Sequence, residues 1–365
     1  MFVKNITPAS SRATGSSTTS RYVPAGSGQP VYFNPMLRDD NRSGGYRKAI
    51  KKNIDRFKLA TERAPHVVDL GAGTGVLSKM ALDCGAERVT LVDVNKDLLD
   101  MASEALTQHG YCENKDFFIF HGSFTKMTYP VKIWDAVEPF DMLVSEILGT
   151  LTTSESMHEY IADALKHVQS FDGAQFVIPS KATQTLSICE LSVVDENDLC
   201  ARYPHDNLIP EWHDGTEVVF VPTNDLQLNN LHMKPFTVHS TATIRVDTFD
   251  VMSTTLPSVS LAVPSTLSWN HFLVLEWTCT LADGVELKNT LYGYKESPAV
   301  GVDRAVAWGF LLAECGPLYE RCGKTADFEV TYPQHRKGWP RIILAEEMAL
   351  VAGNDASKAK KRRTK

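Results

Sequence analysis

Two glutamates, Glu146 and Glu155, stand nine residues apart in Ser145-Glu146-Ile147-Leu148-Gly149-Thr150-Leu151-Thr152-Thr153-Ser154-Glu155-Ser156. Paired carboxylates can clamp a guanidinium, whose five N–H donors lie in a rigid planar fork, among other uses of two acids. A free guanidinium is a poor nucleophile because its charge is delocalised and its pKa exceeds about 12. Two acids can clamp it, draw positive charge away from one nitrogen and aim that nitrogen at an electrophile, where orientation is the larger contribution. Either acid alone would read as a solvated loop residue.

A second constellation lies upstream, at His66-Val67-Val68-Asp69-Leu70-Gly71-Ala72-Gly73-Thr74-Gly75. An apolar run reads as a buried strand; a glycine turn follows, and Val76, Leu77, Met80 and Ala81 recur at helical spacing. Such a turn lets a ligand approach the backbone at a helix N-terminus. A dinucleotide fingerprint would need Gly or Ala at position 76, which is Val, so an adenosyl ligand without a pyrophosphate fits better. The strand Arg88 to Asp93 ends in an acid, placed as ribose-binding acids are. Together these residues resemble the S-adenosylmethionine site of a class I methyltransferase.

The elements that must position these residues are legible. Met36 to Leu59 has helical spacing, with Tyr46, Ile50, Ile54 and Phe57 on one face. Arg42 at its start reads either as part of a solvated face or as a bidentate partner for a ligand carboxylate. From Val67 to Val177 strands (67–70, 88–93, 117–120, 141–145, 174–178) alternate with helices, Asp97 to His109 among them. This is a doubly wound sheet, with ligands at the carboxyl ends of its strands. Thr153 or Ser154 could cap a helix with the stripe Met157, Tyr160, Ile161, Ala164, Leu165 and Val168. That would put Glu155 in its first turn, where the dipole favours the ionised form.

Beyond Pro179, alternating runs dominate: 185–194, 216–221, 236–246, 272–281, 305–313, 327–332 and 341–344. They predict an all-β second domain, barrel or sandwich. Asp195 to His213 is polar and reads as an excursion from the sheet.

Composition bounds the rest. The chain has 365 residues, 43% of them hydrophobic, with a net charge of −7. That suggests two or three domains and gives no sign of a dedicated nucleic-acid binder. No run is long and apolar enough for a membrane span. The seven cysteines are scattered with no C-x-x-C pair, so reduced thiols and no metal site are expected. Residues 1–30 are rich in Ser, Thr, Gly and Pro and read as a disordered tail, with a mitochondrial presequence the alternative. Residues 356–365 carry six basic side chains and no acid, and read as a disordered basic tail, with nuclear import or nucleic-acid contact the sharper reading.

From about Met36 to Val351 the chain resembles the protein arginine methyltransferases. The signal is the double-glutamate loop, with Met36-Leu37-Arg38-Asp39-Asp40-Asn41-Arg42 and Val177-Ile178-Pro179-Ser180-Lys181-Ala182-Thr183 matching as well. The resemblance implies a Rossmann-like class I methyltransferase domain (31–178) followed by a β-barrel domain (179–352) with an inserted dimerisation arm at about 195–213. It implies Glu146 and Glu155 as the catalytic pair and S-adenosylmethionine as cofactor. Arg42 would hold the cofactor carboxylate; Asp69, Gly71, Gly73 and Gly75 would line it; Asp93 would take the ribose hydroxyls. Phe124 and Thr125 occupy the adenine-contacting position, where many members carry an acid. Met36 and Met157 match positions that crowd the methyl-accepting nitrogen. The family's Thr-His-Trp motif aligns with Asp303-Arg304-Ala305, which places Arg304 at the substrate pocket; Gln334-His335 is the weaker match. The loop has Ile147 where dimethylating members carry Trp, which is closer to the monomethylating (type III) branch. Implied partners are Arg-Gly-rich RNA-binding proteins and histone tails, and a second copy of the chain in a homodimer. The implied location is cytoplasmic and also nuclear. A non-catalytic regulatory subunit of a methyltransferase complex, RNA-associated, is the competing reading.

Overall fold

The computed structural model describes residues 40–122, 140–149, 151–153, 155, 157–190, 221–222, 237–249, 253–255, 259–268, 270–289, 311–331 and 341–344. Met36, Phe124, Thr125, the expected arm at 195–213, Arg304, Gln334-His335 and both tails lie outside the described residues.

Five parallel strands form the first sheet: β1 (His66–Leu70), β2 (Arg88–Asp93), β3 (Phe117–His121), β4 (Met142–Ser145) and β6 (Ala174–Ile178). The short β5 (Ser170–Phe171) adds to β6 antiparallel, giving the order β3-β2-β1-β4-β6-β5. The chain winds outward from β1 to β3, then returns to the other side of β1 as β4. The switch point, where this topology leaves a crevice for a ligand, therefore lies between the carboxyl ends of β1 and β4. β1 and β4 are buried throughout, as apolar runs in a covered parallel sheet should be.

Helix α1 (Asp40–Thr61) presents Tyr46, Ile50, Ile54 and Phe57, all fully buried. Burying four such side chains contributes about 2 kcal/mol each. α1 packs on α2 (Val76–Asp83), on β6 and on two strands of the second sheet, so one helix bridges both halves. α3 (Lys96–Gln108) is capped by Asn95, whose Oδ1 accepts from the N–H groups of Asp97 and Leu98 at 3.1 and 3.3 Å.

The second half is antiparallel. Its larger sheet contains β7 (Lys181–Glu190), β8 (Val221–Pro222), β9 (Thr237–Thr248), β10 (Ser253–Thr255), β12 (His271–Ala282), β13 (Val285–Asn289) and β14 (Leu311–Glu314). The order is β10-β9-β7-β12-β14-β8, with β13 also on β12. A smaller sheet, β11 (Val259–Ala262), β15 (Thr325–Thr331) and β16 (Arg341–Leu344), covers a separate core of Leu186, Ile188, Leu273, Leu275, Leu318 and Phe328.

Helix α4 (Met157–Ala164) starts where its apolar stripe begins, later than a cap at Thr153 or Ser154 would place it, and Leu165–His167 continues it as a 3-10 turn. Glu155 is therefore in a turn ahead of the helix, not in its first turn, which holds Glu159 instead. Thr153 is buried and its hydroxyl accepts a hydrogen bond from Gln184 at 3.3 Å.

Candidate active site

The glycine turn follows β1 directly. Gly71, Gly73 and Gly75 have φ of 74°, 52° and 77°, the left-handed region that L side chains avoid. Space forbids a side chain as well: a Cβ on Gly71 would lie 2.5 Å from Ile147 Cγ2, and one on Gly75 would lie 2.9 Å from the Cβ of Ala102. The amides of Gly71 and Ala72 are tied to Val92 O at 2.8 and 3.1 Å, which fastens the turn to the end of β2.

Asp93 completes that end. Its Oδ2 accepts from Gly73 N and its Oδ1 from Asn95 N, each at 2.8 Å. The acid is thus held rigid at the rim of the turn. Asp69 lies fully buried beneath, accepting from Ser78 Oγ at 2.6 Å through Oδ2. Its Oδ1 has no partner among the described residues. Burial pushes its carboxyl up to about 7, against the opposing effect of Ser78.

Across β1, Glu146 follows β4 and is buried. One oxygen, Oε2, accepts from Nη2 of Arg42 in a buried ion pair; the other, Oε1, has no partner among the described residues. Burial pushes Glu146 up to about 7; Arg42 opposes this and Glu155 adds to it. Glu155 feels the charge of the same guanidinium. Surrounding protein raises its carboxyl too and Arg42 lowers it, but its surface is open to solvent, which limits the rise. No helix dipole holds it ionised, because it precedes α4.

Arg42 thus meets Glu146 directly, whereas the sequence reading sent it to a cofactor carboxylate. α1 is seated by Tyr46, whose hydroxyl donates to Ser145 O at 2.8 Å, and Ser145 Oγ donates to Leu70 O at 2.8 Å. These bonds lock the carboxyl ends of β1 and β4 and the start of α1 into one body.

The second sheet holds the loop between the glutamates. Trp277 Nε1 donates to Gly149 O at 3.2 Å, and Gln184 bonds Thr153. Leu148 packs in the methyltransferase core and Leu151 in the second core, so the loop stitches the halves together. Beneath it, Arg245 and Asp247 form a buried two-pronged pair at 2.7 and 2.8 Å. His158, in α4, is kept below the ordinary imidazole range by burial first and Arg245 second. Met157 is buried at the start of the same helix.

Sequence reasoning had no hold on Trp277, Gln184, Arg245 or Asp247. Their one visible signal is polar side chains interrupting the apolar alternation of β7, β9 and β12.

The site suits an adenosyl ligand with an amino-acid tail. The turn leaves no room for side chains, Asp93 is fixed at its rim, Asp69 and Glu146 each keep a buried acceptor oxygen without a partner among the described residues, and Arg42 stands at the same strand end, held by Glu146.

Residues 67–169 match a methyltransferase domain. The chain is 42% identical over 78 residues to protein arginine N-methyltransferase 7 of Drosophila willistoni, covering 21% of this chain and 11% of that protein. It is 31% identical over 159 residues to the probable protein arginine N-methyltransferase 3 of Oryza sativa subsp. indica, covering 40% and 24%. The chain thus spans less than a quarter of the length of these relatives. Its fold matches the Trypanosoma brucei PRMT1 enzyme-prozyme heterotetrameric complex with AdoHcy at a TM-score of 0.58 and 20% identity, over 86% of this chain and 91% of that one. Residues 67–169 thus form a methyltransferase domain, the chain is similar over part of its length to protein arginine methyltransferases, and its two-part fold is that of the Trypanosoma brucei structure.

Proposed function

We propose that the chain transfers a methyl group from S-adenosylmethionine to a guanidinium nitrogen of arginine in protein substrates. One observation carries this reading. Glu146 is a buried carboxylate beside the glycine turn that already holds one guanidinium through Oε2 and leaves Oε1 without a partner among the described residues.

When bound, the cofactor supplies an electrophilic methyl group on a sulfonium, a good leaving group. Asp93 fixes the ribose hydroxyls and the glycine turn receives the adenosyl part. Arg42 turns from Glu146 to the carboxylate of the cofactor's amino-acid part, which frees Glu146 for substrate. Glu146 and Glu155 then hold the substrate guanidinium with one nitrogen toward the methyl group. Glu155, open to solvent, would carry away the proton that the methylated nitrogen sheds. Because Arg42 serves both partners in turn, cofactor binds before arginine.

The product is monomethylarginine, supported by Ile147 in place of a tryptophan. Substrates are Arg-Gly-rich segments and histone tails; the acidic clamp and the net charge of −7 suit cationic peptides. The second half closes as a barrel, and 195–213 serves as the arm of a homodimer. The chain works in the cytoplasm and also in the nucleus.

The test is transfer of labelled methyl to an Arg-Gly-rich peptide, with products resolved by mass spectrometry, for the wild type beside Glu155→Gln. Monomethylarginine from wild type alone supports the reading; dimethylarginine keeps the mechanism and refutes the branch. A regulatory subunit is the second reading, supported by Asp303-Arg304-Ala305 where the family carries Thr-His-Trp. No transfer with cofactor bound would favour it.

A further inference from the structure

Three adjacent strand ends of the second half bring together Glu190 of β7, His239 of β9 and His271 of β12, with one potential ligand atom from each lying within 4.8 Å of the others. Register explains the meeting. Glu190 pairs with His271 across β7 and β12. On the other side Ile188 pairs with Ser240 and Cys189 with Val238, so His239 is the extra residue of a bulge. A bulge re-aims a side chain, and this one brings His239 Nε2 to 3.5 Å from Glu190 Oε2. The two imidazoles stack, with centroids 5.1 Å apart and planes 24° from parallel.

We propose that Glu190, His239 and His271 form a binding site for a borderline divalent cation of the zinc class, with a fourth position left for water. Two imidazoles and one carboxylate are a donor set that zinc accepts, at about 2.0–2.2 Å from each atom. Ligand atoms around a tetrahedral ion stand roughly 3.4 Å apart, so side-chain adjustments of about an ångström close the cluster.

The surrounding hydrogen bonds prepare two of the three ligands. Ser268 Oγ donates to Asn270 Oδ1 at 2.6 Å, and Asn270 Nδ2 donates to Glu190 Oε1 at 3.3 Å. Glu190 is therefore held by one oxygen and keeps Oε2 toward the cluster. Ser268 Oγ, with its proton committed to Asn270, can accept from His271 Nδ1 at 2.9 Å, which leaves Nε2 as a lone pair. In the other tautomer the Ser268 N–H, 3.1 Å away, donates to Nδ1 and Nε2 keeps its proton; a cation selects the first.

The site is remote from methyl transfer. Gln184, Leu186, Ile188 and Glu190 share one face of β7, and Glu190 lies six residues beyond Gln184, about 20 Å along the strand. A cation there pins the ends of β9, β7 and β12 to one another. The inference does not rest on the proposed activity.

The test uses the full chain, first stripped with chelator, in a zinc titration against a competing chromophoric chelator and in a cobalt(II) absorption spectrum. Expected are one equivalent of zinc, a rise in Tm on its addition, and loss of both with His239→Ala, an exposed change that leaves the fold intact. Asn270→Ala should weaken binding on the order of tenfold. No saturable zinc binding, or binding that His239→Ala leaves within about twofold, overturns the proposal. So does a sulfur-to-cobalt charge-transfer band, because the cysteines would then be the ligands.

Discussion

Strand β4 carries an arginine–carboxylate pair at each end, and the two differ in one respect. At its start Asp141 is buried and fully used: Oδ1 accepts from Arg63 Nη2 at 2.6 Å, and Oδ2 from Arg63 Nη1 at 2.7 Å and His66 N at 2.8 Å. At its finish Glu146 is buried, with Oε2 on Arg42 and the Leu148 amide bonded to its carboxylate, while Oε1 makes no standard hydrogen bond among the described residues. A fork matched on both prongs with a backbone amide in addition is a fastening. A lone pair left empty in a buried, water-poor place is a cost the fold bears elsewhere, and the amino-terminal end of a parallel sheet is where stability is built while the carboxyl end holds chemistry.

The largest effect that separates the two ends comes from Glu146→Gln. The amide keeps the shape but cannot hold and polarise a guanidinium. Methyl transfer should fall by about 10²–10³-fold in kcat per folded molecule, the scale set by losing one preorganised charge-stabilising group, and stability should fall by about 3 kcal/mol because Arg42 is left buried without its charge partner. A large Tm drop with activity intact per folded molecule would make Glu146 a second fastening and erase the contrast. The same residue sets a pH limb. Because burial pushes Glu146 up to about 7, kcat/KM should fall as pH drops through that value.

Asp141→Asn is the mirror experiment. One prong of the fork and its charge are lost while His66 keeps its acceptor. Breaking a buried pair costs about 3–5 kcal/mol, but Arg63 is 41% exposed and can return to water, so about 2 kcal/mol is expected. Urea unfolding should report it, and the folded protein should bind cofactor normally. Weakened cofactor binding without loss of stability would show that the two ends are coupled.

How much of this was legible in advance follows the range of the interaction. The glycine turn, the strand ending at Asp93 and the buried face of α1 are local patterns, and they appear where spacing put them. The Arg42–Glu146 pair joins residues 104 positions apart. No spacing rule reaches that far, so Arg42 was sent to the ligand and its partner in the folded chain was missed. Glu155 was assigned to a helical first turn because Thr153 or Ser154 was taken as the cap; Thr153 instead accepts from Gln184 of the other half, and the helix starts at Met157. The cluster of Glu190, His239 and His271 was invisible for the same reason: a bulge and two strand pairings bring it together, with no sequence motif.

Asp69 sharpens the comparison, as a third buried acid with one oxygen lacking a partner among the described residues. Its carboxyl is raised by burial from an ordinary 3.8 to about 7, so it takes up a proton on folding within that window. Its contribution favours the native state at low pH and is lost as pH rises through about 7. His66 works in the opposite sense: burial lowers it to about 3, so stability is lost as pH falls below 6.5. Asp69→Asn should therefore remove a fall in the urea midpoint between about pH 4 and 7, leaving the opposite limb from His66 unopposed. An unchanged slope would mean that Asp69 is ionised throughout, with a donor supplied from outside the described residues.

The smallest effect should come from Trp277→Phe, which asks whether the loop between the glutamates is held by the sheet below it or by its own packing. The substitution keeps most of the buried aromatic area and removes one donor, the Nε1–H that reaches Gly149 O at 3.2 Å. A single neutral hydrogen bond contributes about 1 kcal/mol net. Gly149 lies three residues beyond Glu146, so the carbonyl that loses its donor belongs to the loop and not to β4. The lost bond should appear as a loop that samples more positions: kcat down about threefold to fivefold, KM for peptide up by a similar factor, and the cofactor constant unchanged. A change in cofactor affinity instead would mean that the loop's hold on Ile147, and through it on the Gly71 turn, depends on Trp277, and that the two ends of the crevice move as one.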